Sequence, residues 1–572
     1  MDKKKGNTSM PSKVNGTGQA SGSGKVHQCD VVILGSGLAG SVSAAILARH
    51  GATVALVDAA SHPRFAIGES TTPHLIEWLR ILSMRFDIPE LADLFDVKAA
   101  NEHIGPFHGQ KQSFGFVKHQ RGREPDPNES TIYVVPKLIT RASHLYRQDS
   151  DAHYFHVAAK YGCILRQNWR AADVDFDDDG VTVTGQNGEV FRGRYLIDAS
   201  GFRSLLAQKF DLRDKPARFK HHSRSMFTHF VGVKPFDEVI DWPKRERPPA
   251  PWNNGTLHHP IDRGWFWIIP FNNYPRSINP LCSVGLTIDE RTYPKPADMT
   301  PEEEWQQFLD LYPAIKRQFE GAARVREWVS TDRLQYSSKH SIGYRWCLMS
   351  HAAGFIDPLY SFGLSNTFQV VYALTSRLLE ALKDDDFSVE RFQYVDSLER
   401  GLLYHNDLMV NSSFISFSDF KLWNAVFRVW GAFLAHGSLR LVRARLGYLF
   451  DGDERHFKEL EKAPHTGLWW PESHAFKNIL EGMAETCEKY EADVLDAESA
   501  AEAISRMLAE PGLSGPAFRW ENADTRFVAP STPDMAKFML WASTRSPAEV
   551  RPLGRALVSG VIKAGLRGKK AF

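Results

Sequence analysis

The segment Asp30–Gly40, DVVILGSGLAG, decides the fold, because a short apolar run leads directly into glycines at Gly35, Gly37 and Gly40. Glycines at these positions let a backbone approach a pyrophosphate closely. The residues that follow, Ser41–His50, have a helical pattern. The segment therefore predicts a strand, a tight turn and a helix whose N-terminus faces a phosphate.

A second apolar run, Thr53–Val57, ends at Asp58. The order of strand, glycine turn, helix, strand and acid is that of a dinucleotide site, in which Asp58 accepts a ribose hydroxyl. No other glycine cluster follows a strand, since Gly22–Lys25 lies in a polar segment. We therefore expect one bound dinucleotide and no stable NAD(P)H site.

Composition excludes several classes of partner. The 572 residues carry a formal net charge of +1 and are 43% apolar, which argues against nucleic acid and anionic membranes as partners. No apolar stretch is long enough to span a membrane. The five cysteines are widely scattered, so neither disulfides nor a metal site is expected. These features favour a cytoplasmic enzyme of more than one domain.

Alternating strand and helix signals predict an α/β fold, with strands at residues 114–117, 181–184 and 194–198. The predicted organisation is a disordered tail over residues 1–26, an α/β core over 27–400 that includes a β-rich substrate region at 215–335, and a mainly helical region over 401–572.

Two aromatic segments lie outside the fingerprint. Gly264–Pro270, GWFWIIP, reads as a buried strand that carries Trp265 and Trp267, and ordinary core packing explains it as well as function does. Leu422–Leu446 has apolar residues at helical spacing and predicts one inward-facing stripe. That stripe either fills the core or encloses a flat substrate.

The segment Gly354–Thr367, GFIDPLYSFGLSNT, is a polar turn that opens an apolar helix. Unpaired amides at such a helix start, together with the helix dipole, can hold a small anion or the pyrimidine side of a flavin. A merely capped helix start is the alternative.

Together these segments resemble the flavin-dependent halogenases from the first strand to the C-terminal helices. The tryptophan run fits the family pattern Gly-Trp-x-Trp-x-Ile-Pro. Further segments that carry the resemblance are Ser61–Ser70, Tyr146–Asp149 with Asp151, His222–Ser225, Gly255–His259, Phe271–Asn273 and the segment around Asp357. The implied fold is a Rossmann-like FAD-binding domain, an overlying β-sheet and a helical C-terminal region.

The resemblance also implies site residues. Halide is expected at Ser361, Phe362 and Gly363. The residues expected to bind FAD are Gly35, Gly37, Gly40, Asp58, Arg64, Gly68, Glu69, Ser70, Arg147, Asp198, Gly201, Asp357, Gly363 and Leu364.

In this family, hypohalous acid made at the flavin from O2 and chloride or bromide travels through the protein to a lysine that precedes a strand. Lys111 matches that position, with Lys98 and Lys118 as rivals. Trp265 and Trp267 would keep the substrate away from the flavin. A separate flavin reductase would supply the reduced FAD. Because the oxidant attacks sulfur, its path should avoid Cys and Met side chains, Cys282 and Cys347 above all.

The chain departs from related flavoproteins at two places. Ser350–Ala353 replaces a Gly-Asp pair whose aspartate binds the ribityl chain, and Tyr360 replaces the glutamate of indole halogenases. Tyr360 argues against free tryptophan as substrate and favours a pyrrole or phenol. An aromatic hydroxylase and an inactive flavoprotein that serves as a docking partner are the alternative functions. The sequence decides neither the regiochemistry nor the oligomeric state.

Overall fold

A six-stranded sheet forms around the apolar runs of the fingerprint in the computed structural model, which describes residues 26–136, 141–522 and 524–566. Val31–Leu34 and Val54–Val57 are buried on both faces, as their unbroken apolar sequence requires. All neighbouring strands are parallel except the first pair. The sheet order is Ile342–Gly343, Trp346–Leu348, Tyr195–Asp198, Val31–Leu34, Val54–Val57 and Ile164–Arg166.

The helix after the fingerprint spans Leu38–Arg49 and begins earlier than the predicted Ser41, because the last residues of the glycine turn already form its first turn. Gly35 shows why the turn needs glycine. Its φ is +96°, and a β-carbon there would lie 2.6 Å from the carbonyl oxygen of Ala199. The turn between the strand and the helix therefore runs so close to the backbone of Ala199 that no side chain fits at Gly35.

A nine-stranded sheet lies over this domain and contains the tryptophan run as the strand Gly264–Pro270. Alternation sends Trp265 and Trp267 to one face and Phe266 and Ile268 to the other. The order along the sheet is Ala323–Arg324, Ser223–Val231, Leu281–Asp289, Gly264–Pro270, Thr256–Ile261, Ser113–Val117, Ser130–Val134 and Phe527–Val528, and Val329–Ser330 also pairs with Ser223–Val231.

Two smaller sheets complete the β-structure of the described residues. Val26–Gln28, Val190–Gly193, Gly180–Gly185 and Ala171–Asp177 form one, and Gly109–Gln110 pairs with Ser143–His144 in the other. The strands predicted at 114–117, 181–184 and 194–198 all form. The tail predicted over residues 1–26 lies outside the described residues apart from Val26.

Helices of eight or more residues pack against both large sheets and make up most of the C-terminal region. They are Leu38–Arg49, Pro73–Phe86, Arg147–Lys160, Pro301–Leu311, Phe362–Asp384, Val389–Ser416, Phe420–Asp451, His474–Glu491, Ala497–Ala509, Thr532–Thr544 and Arg551–Leu566. Shorter ones are Val97–Ala99, Leu205–Lys209, Phe236–Val239, Pro313–Phe319 and Arg455–Lys458. None of the helices in the described ranges is both long and apolar enough to cross a membrane.

The predicted single apolar stripe of Leu422–Leu446 is wrong. Every residue from Leu422 to Leu434 is buried, so the Phe420–Asp451 helix is enclosed on all sides over that length. The C-terminal segments cause this, since a β-carbon at Gly431 would lie 2.5 Å from the Trp520 ring. The predicted fold class, an FAD-type α/β domain with an overlying sheet and a helical C-terminal region, is confirmed.

Candidate functional site

A cavity of about 560 Å³ opens at the carboxyl ends of the parallel strands, where α/β sheets bind their ligands. Part of its wall comes from the fingerprint and part from the helix that begins at Phe362. The predicted cofactor residues that line it are Gly35, Gly37, Asp58, Arg64, Arg147, Gly201 and Leu364.

The cavity suits a dianionic pyrophosphate. The Leu38–Arg49 helix begins here without a side-chain cap, so its first amide groups are free to bind phosphate oxygens. A β-carbon at Gly37 would meet nothing closer than the Asp151 carboxylate at 3.9 Å, so glycine here keeps space open rather than relieving a clash.

Arg170 and Arg203 also line the cavity, and sequence reasoning missed both. Neither forms an ion pair with any part of the chain that the structure describes, whereas Arg64 pairs with Asp58 and Arg147 with Asp151. Isolated arginines carry no sequence pattern. Only the position of Arg203, two residues after the Gly201 turn, could have indicated it.

Asp58 ends its strand as predicted, and its carboxylate holds the glycine turn. Oδ2 accepts hydrogen bonds from the Ser36 amide at 2.8 Å and the Ser36 hydroxyl at 2.7 Å, and it lies 3.1 Å from Arg64. Burial raises the pKa of Asp58, but Arg64 and these hydrogen bonds outweigh burial and bring the pKa below its ordinary value. The group is therefore an ionised acceptor at neutral pH.

The other predicted cofactor residues do not line this cavity: Gly40, Gly68, Glu69, Ser70, Asp198, Asp357 and Gly363. Asp198 is fully buried and holds the turn after its strand through Ser200 and Ser204. Glu69 is bonded to His229 at 2.9 Å. Asp198 thus fixes the loop beside the cavity with both of its oxygens, whereas Glu69 uses Oε1 and its buried Oε2 has no partner among the described residues.

Asp357 ties its loop to the start of the strand Ser223–Val231. Its Oδ2 accepts from the Ser223 hydroxyl at 3.0 Å and lies 3.3 Å from His221. In the segment that replaces the Gly-Asp pair, Ser350 and His351 line the cavity, so the chain reaches the same place without an acid.

Lys111 is buried, with 1% of its surface exposed, just before the strand Ser113–Val117. Its Nζ donates to the hydroxyls of Ser70 and Ser361, the second at 3.1 Å, and lies 3.8 Å from the centre of the Phe114 ring. Burial alone lowers the pKa of Lys111 well below its ordinary value. The amine is therefore poised to be neutral.

The rival lysines have other partners. Lys98 is largely exposed and lies 3.9 Å from Glu102. Lys118 is buried, but its Nζ donates to the Ser418 carbonyl at 2.8 Å and lies 3.6 Å from Glu129. Of these three lysines, Lys111 alone contacts the turn before the Phe362 helix among the residues that the structure describes.

Aromatic rings surround Lys111. The Phe114 ring lies 4.8 Å from Trp430, which stacks on Tyr360 at 5.1 Å, and the Tyr360 hydroxyl bonds Ser413 at 2.6 Å. Trp265 and Trp267 are buried in the same cluster, with ring centres 5.5 Å apart.

The Ser361 turn brings the two regions together. Ser361 has a φ of 57°, and the helix Phe362–Asp384 starts after it with no side-chain cap, which leaves its first amides free. Phe362 and Gly363 line a second cavity of about 40 Å³ together with His351. His351 also lines the large cavity, so the free helix end lies between that cavity and Lys111.

Neither predicted cysteine lines either cavity. Cys282 faces the core on the opposite side of the nine-stranded sheet from the tryptophans, and Cys347 is buried in the six-stranded sheet. Met349 lines the large cavity, so sulfur is present in this region, and the absence of sulfur along the path from the cavity to Lys111 stays a prediction. Met349 is buried, with 1% of its surface exposed, and Ser43 donates to its sulfur.

Comparisons with known proteins agree with this geometry. The FAD binding domain family matches residues 28–387. The tetracycline 7-halogenase of Kitasatospora aureofaciens is 48% identical over 94% of this chain and 97% of its own length. The monodechloroaminopyrrolnitrin halogenase PrnC of Pseudomonas fluorescens is 42% identical over 91% of this chain and 93% of its own.

A crystal structure of the halogenase PltM with phloroglucinol and FAD superposes with a TM-score of 0.84 and 33% identity, over 87% of this chain and 99% of that one. The family suggested by the sequence motifs is thus confirmed, as is the use of FAD, halide and O2 that goes with it. The chain belongs to the flavin-dependent halogenases.

Proposed function

We propose that this halogenase chlorinates or brominates an electron-rich aromatic ring, such as a pyrrole or phenol, through hypohalous acid and Lys111. The observation that carries the proposal is the hydrogen bond from the Lys111 amine to Ser361, the residue that precedes the free amides beside the cavity. A buried amine is thereby placed at the junction between the cofactor region and the aromatic cluster.

The large cavity would hold FAD, with its pyrophosphate on the free amides of the Leu38–Arg49 helix and beside Arg170 and Arg203. Reduced FAD supplies two electrons and the halide two, so that O2 yields one water and one hypohalous acid. The chain would bind the halide at the amides of Phe362 and Gly363, beside Ser361, where the helix dipole contributes about 0.3–1 kcal/mol.

Lys111 would receive the oxidant. A neutral amine can form a chloramine, and a protonated one can hydrogen-bond the acid and polarise the O–Cl bond; burial favours the neutral form. In either form, the halogen passes to the ring and the ring proton leaves to a base or to water.

Trp265 and Trp267 would act as a barrier. Both rings are buried, and their strand crosses the sheet beside the Lys111 cluster. Indole neither titrates nor donates protons to a reaction in this pH range, so their contribution is to exclude the substrate from the cofactor.

An apolar cavity of about 210 Å³ supports a ring-shaped substrate. It lies between the Phe420–Asp451 helix and the C-terminal helices, and Tyr133 in its wall stacks across the strand pair on Phe114, the ring that Lys111 contacts. The names of relatives include tetracycline, phloroglucinol and a carrier-bound pyrrole as substrates or ligands. An apolar aromatic molecule fits both observations.

A separate flavin reductase would deliver reduced FAD, because the chain has one glycine fingerprint and the matched FAD domain accounts for it. The protein would therefore depend on a partner for electrons.

The test combines FAD, a flavin reductase, NADH and chloride or bromide with a panel of pyrroles and phenols, and reads products by isotope pattern in mass spectrometry. The expected result is a halogenated ring whose formation falls about 10²- to 10⁴-fold in Lys111→Gln and little in Lys118→Gln. Halogenation by Lys111→Gln at the wild-type rate would refute the role of the lysine. An oxygenated product in the absence of halide would identify an aromatic hydroxylase instead.

A further inference from the structure

A chain of buried hydrogen bonds leads away from Lys111 to His144. The Lys111 amine donates to the Ser70 hydroxyl, whose oxygen lies 2.8 Å from the Thr256 hydroxyl. The Thr256 hydroxyl lies 3.0 Å from Nε2 of His144, and Nδ1 of His144 lies 2.9 Å from the Pro270 carbonyl oxygen. Pro270 is the last residue of the tryptophan strand.

The Pro270 end of this hydrogen-bonded series fixes which group donates and which accepts in every bond. The Pro270 carbonyl only accepts, so Nδ1 of His144 carries a hydrogen. Burial is the main cause that lowers the pKa of His144 to about 3, so the ring is neutral and Nε2 is an acceptor. Thr256 must then donate to His144, and Ser70 must donate to Thr256, because each hydroxyl has one hydrogen.

Ser70 has therefore used its hydrogen and can only accept from Lys111. A neutral amine has two hydrogens, which the hydroxyls of Ser70 and Ser361 both accept. In this arrangement the lone pair of the amine receives no hydrogen bond from either hydroxyl. We propose that Ser70, Thr256 and His144 form a positioning relay that prevents Ser70 from donating to Lys111 and so keeps the amine lone pair available.

The backbone holds the relay rigid. His144 pairs with Gly109 in the short sheet, and the Lys111 amide donates to the Ala142 carbonyl at 2.8 Å. Ser70 and His144 also face each other across an isolated backbone bridge. His144, Thr256 and Ser70 are 0%, 2% and 8% exposed, so water does not compete for these bonds.

Thr256 allows a matched test, because valine keeps its shape without the hydroxyl and serine keeps the hydroxyl without the methyl group. In Thr256→Val, Ser70 loses its acceptor and its hydrogen can turn to the amine lone pair. Carbamylation of Lys111 by cyanate, followed by peptide mass spectrometry on the flavin-free protein, should slow about two- to tenfold in Thr256→Val. Thr256→Ser should react like wild type.

His144→Asn is the second variant, since Nδ2 of asparagine can keep the bond to Pro270 while the shorter side chain places no acceptor at the position of Nε2, which Thr256 contacts. It should slow carbamylation as Thr256→Val does. A packing role for Thr256 gives the opposite order, with serine more damaging than valine, and that order would overturn the relay. So would a wild-type amine that reacts no faster than the Thr256→Val amine.

The effect on turnover rests on the function proposed for Lys111, and the two proposals can fail separately. If Lys111 delivers the halogen, Thr256→Val also lowers kcat for halogenation by a similar factor at unchanged KM. Slower carbamylation with unchanged kcat would support the relay and refute the catalytic lysine. Equal carbamylation with a lower kcat would refute the relay alone.

Discussion

The cofactor cavity and the Lys111 cluster are built in opposite ways. The cavity is open, backbone amides and arginines form the polar part of its wall, and one continuous segment, Asp30–Asp58, supplies much of that wall. The Lys111 cluster is closed and aromatic, and its members come from strands and helices hundreds of residues apart. The first region is suited to a charged ligand, and the second desolvates an amine. We therefore expect that a substitution in the cofactor cavity leaves the Lys111 cluster intact, and the reverse.

Gly37→Val should give the largest effect, and only in the cavity. The added β-carbon meets no protein atom closer than 3.9 Å, so the flavin-free protein should unfold near the wild-type temperature. Phosphate contacts at the helix start are lost, so FAD affinity should fall about ten- to a hundredfold in a fluorescence titration. Gly35→Ala is the contrasting variant, because its clash with Ala199 should lower Tm itself. Unchanged FAD affinity in Gly37→Val would place the pyrophosphate elsewhere.

Ala435→Phe should act only on the substrate. Ala435 lines the apolar cavity, and a ring there would occupy volume that we assign to the substrate. KM for the aromatic substrate should rise about tenfold with FAD affinity unchanged, as measured by steady-state kinetics. Ala435→Ser is the control, because serine changes the same position but adds little volume. Equal KM values in wild type and Ala435→Phe would show that the substrate does not bind in this cavity.

Trp267→Phe should weaken the separation between the regions without abolishing either. A smaller ring leaves a gap in the barrier, so a severalfold larger share of turnover should give halide-independent oxygenation or hydrogen peroxide, measured as oxygen consumed per halogenated product. Trp305 packs against the opposite face of the same sheet, so Trp305→Phe is the control for the loss of a buried indole ring. If the oxygen consumed per halogenated product rises equally in Trp267→Phe and Trp305→Phe, that result would argue against a barrier.

Glu399→Gln should have the smallest effect. It tests the protonation state of an acid that lines the small cavity beside His351. Glu399 is buried and accepts a hydrogen bond from the Ser350 amide, and burial raises its pKa to about 8. The folded state therefore keeps a proton that the unfolded state releases above its ordinary pKa. The stability from this group is full below about pH 4.5 and is lost as pH rises towards 8.

Glutamine mimics the neutral acid, so Glu399→Gln should unfold at a higher temperature than wild type at pH 8, by about 1 kcal/mol or more in free energy of unfolding. The difference should vanish near pH 4, below the ordinary pKa of the acid. Equal thermal stability at pH 8 would show that Glu399 is ionised in the folded protein.

The same comparison shows what sequence can predict. Asp58, Gly37 and Lys111 can be proposed from the sequence, because each lies at a fixed offset from a strand or turn that is continuous in the chain. The Ser70–Thr256–His144 relay cannot, because its members meet through tertiary pairing and carry no spacing pattern. The full burial of Leu422–Leu434 was missed for the same reason, since it depends on segments such as Trp520 that pack on the helix from later in the chain.

The most direct test of the central claim, that the oxidant is made in one region and used in another through Lys111, measures two outputs of Lys111→Gln. One is oxidised halide, trapped by a small scavenger in solution, and the other is halogenated substrate, both with FAD occupancy matched to wild type. We expect oxidised halide still to form while halogenated substrate disappears. Halogenated substrate at the wild-type rate, or loss of both outputs together, would contradict it.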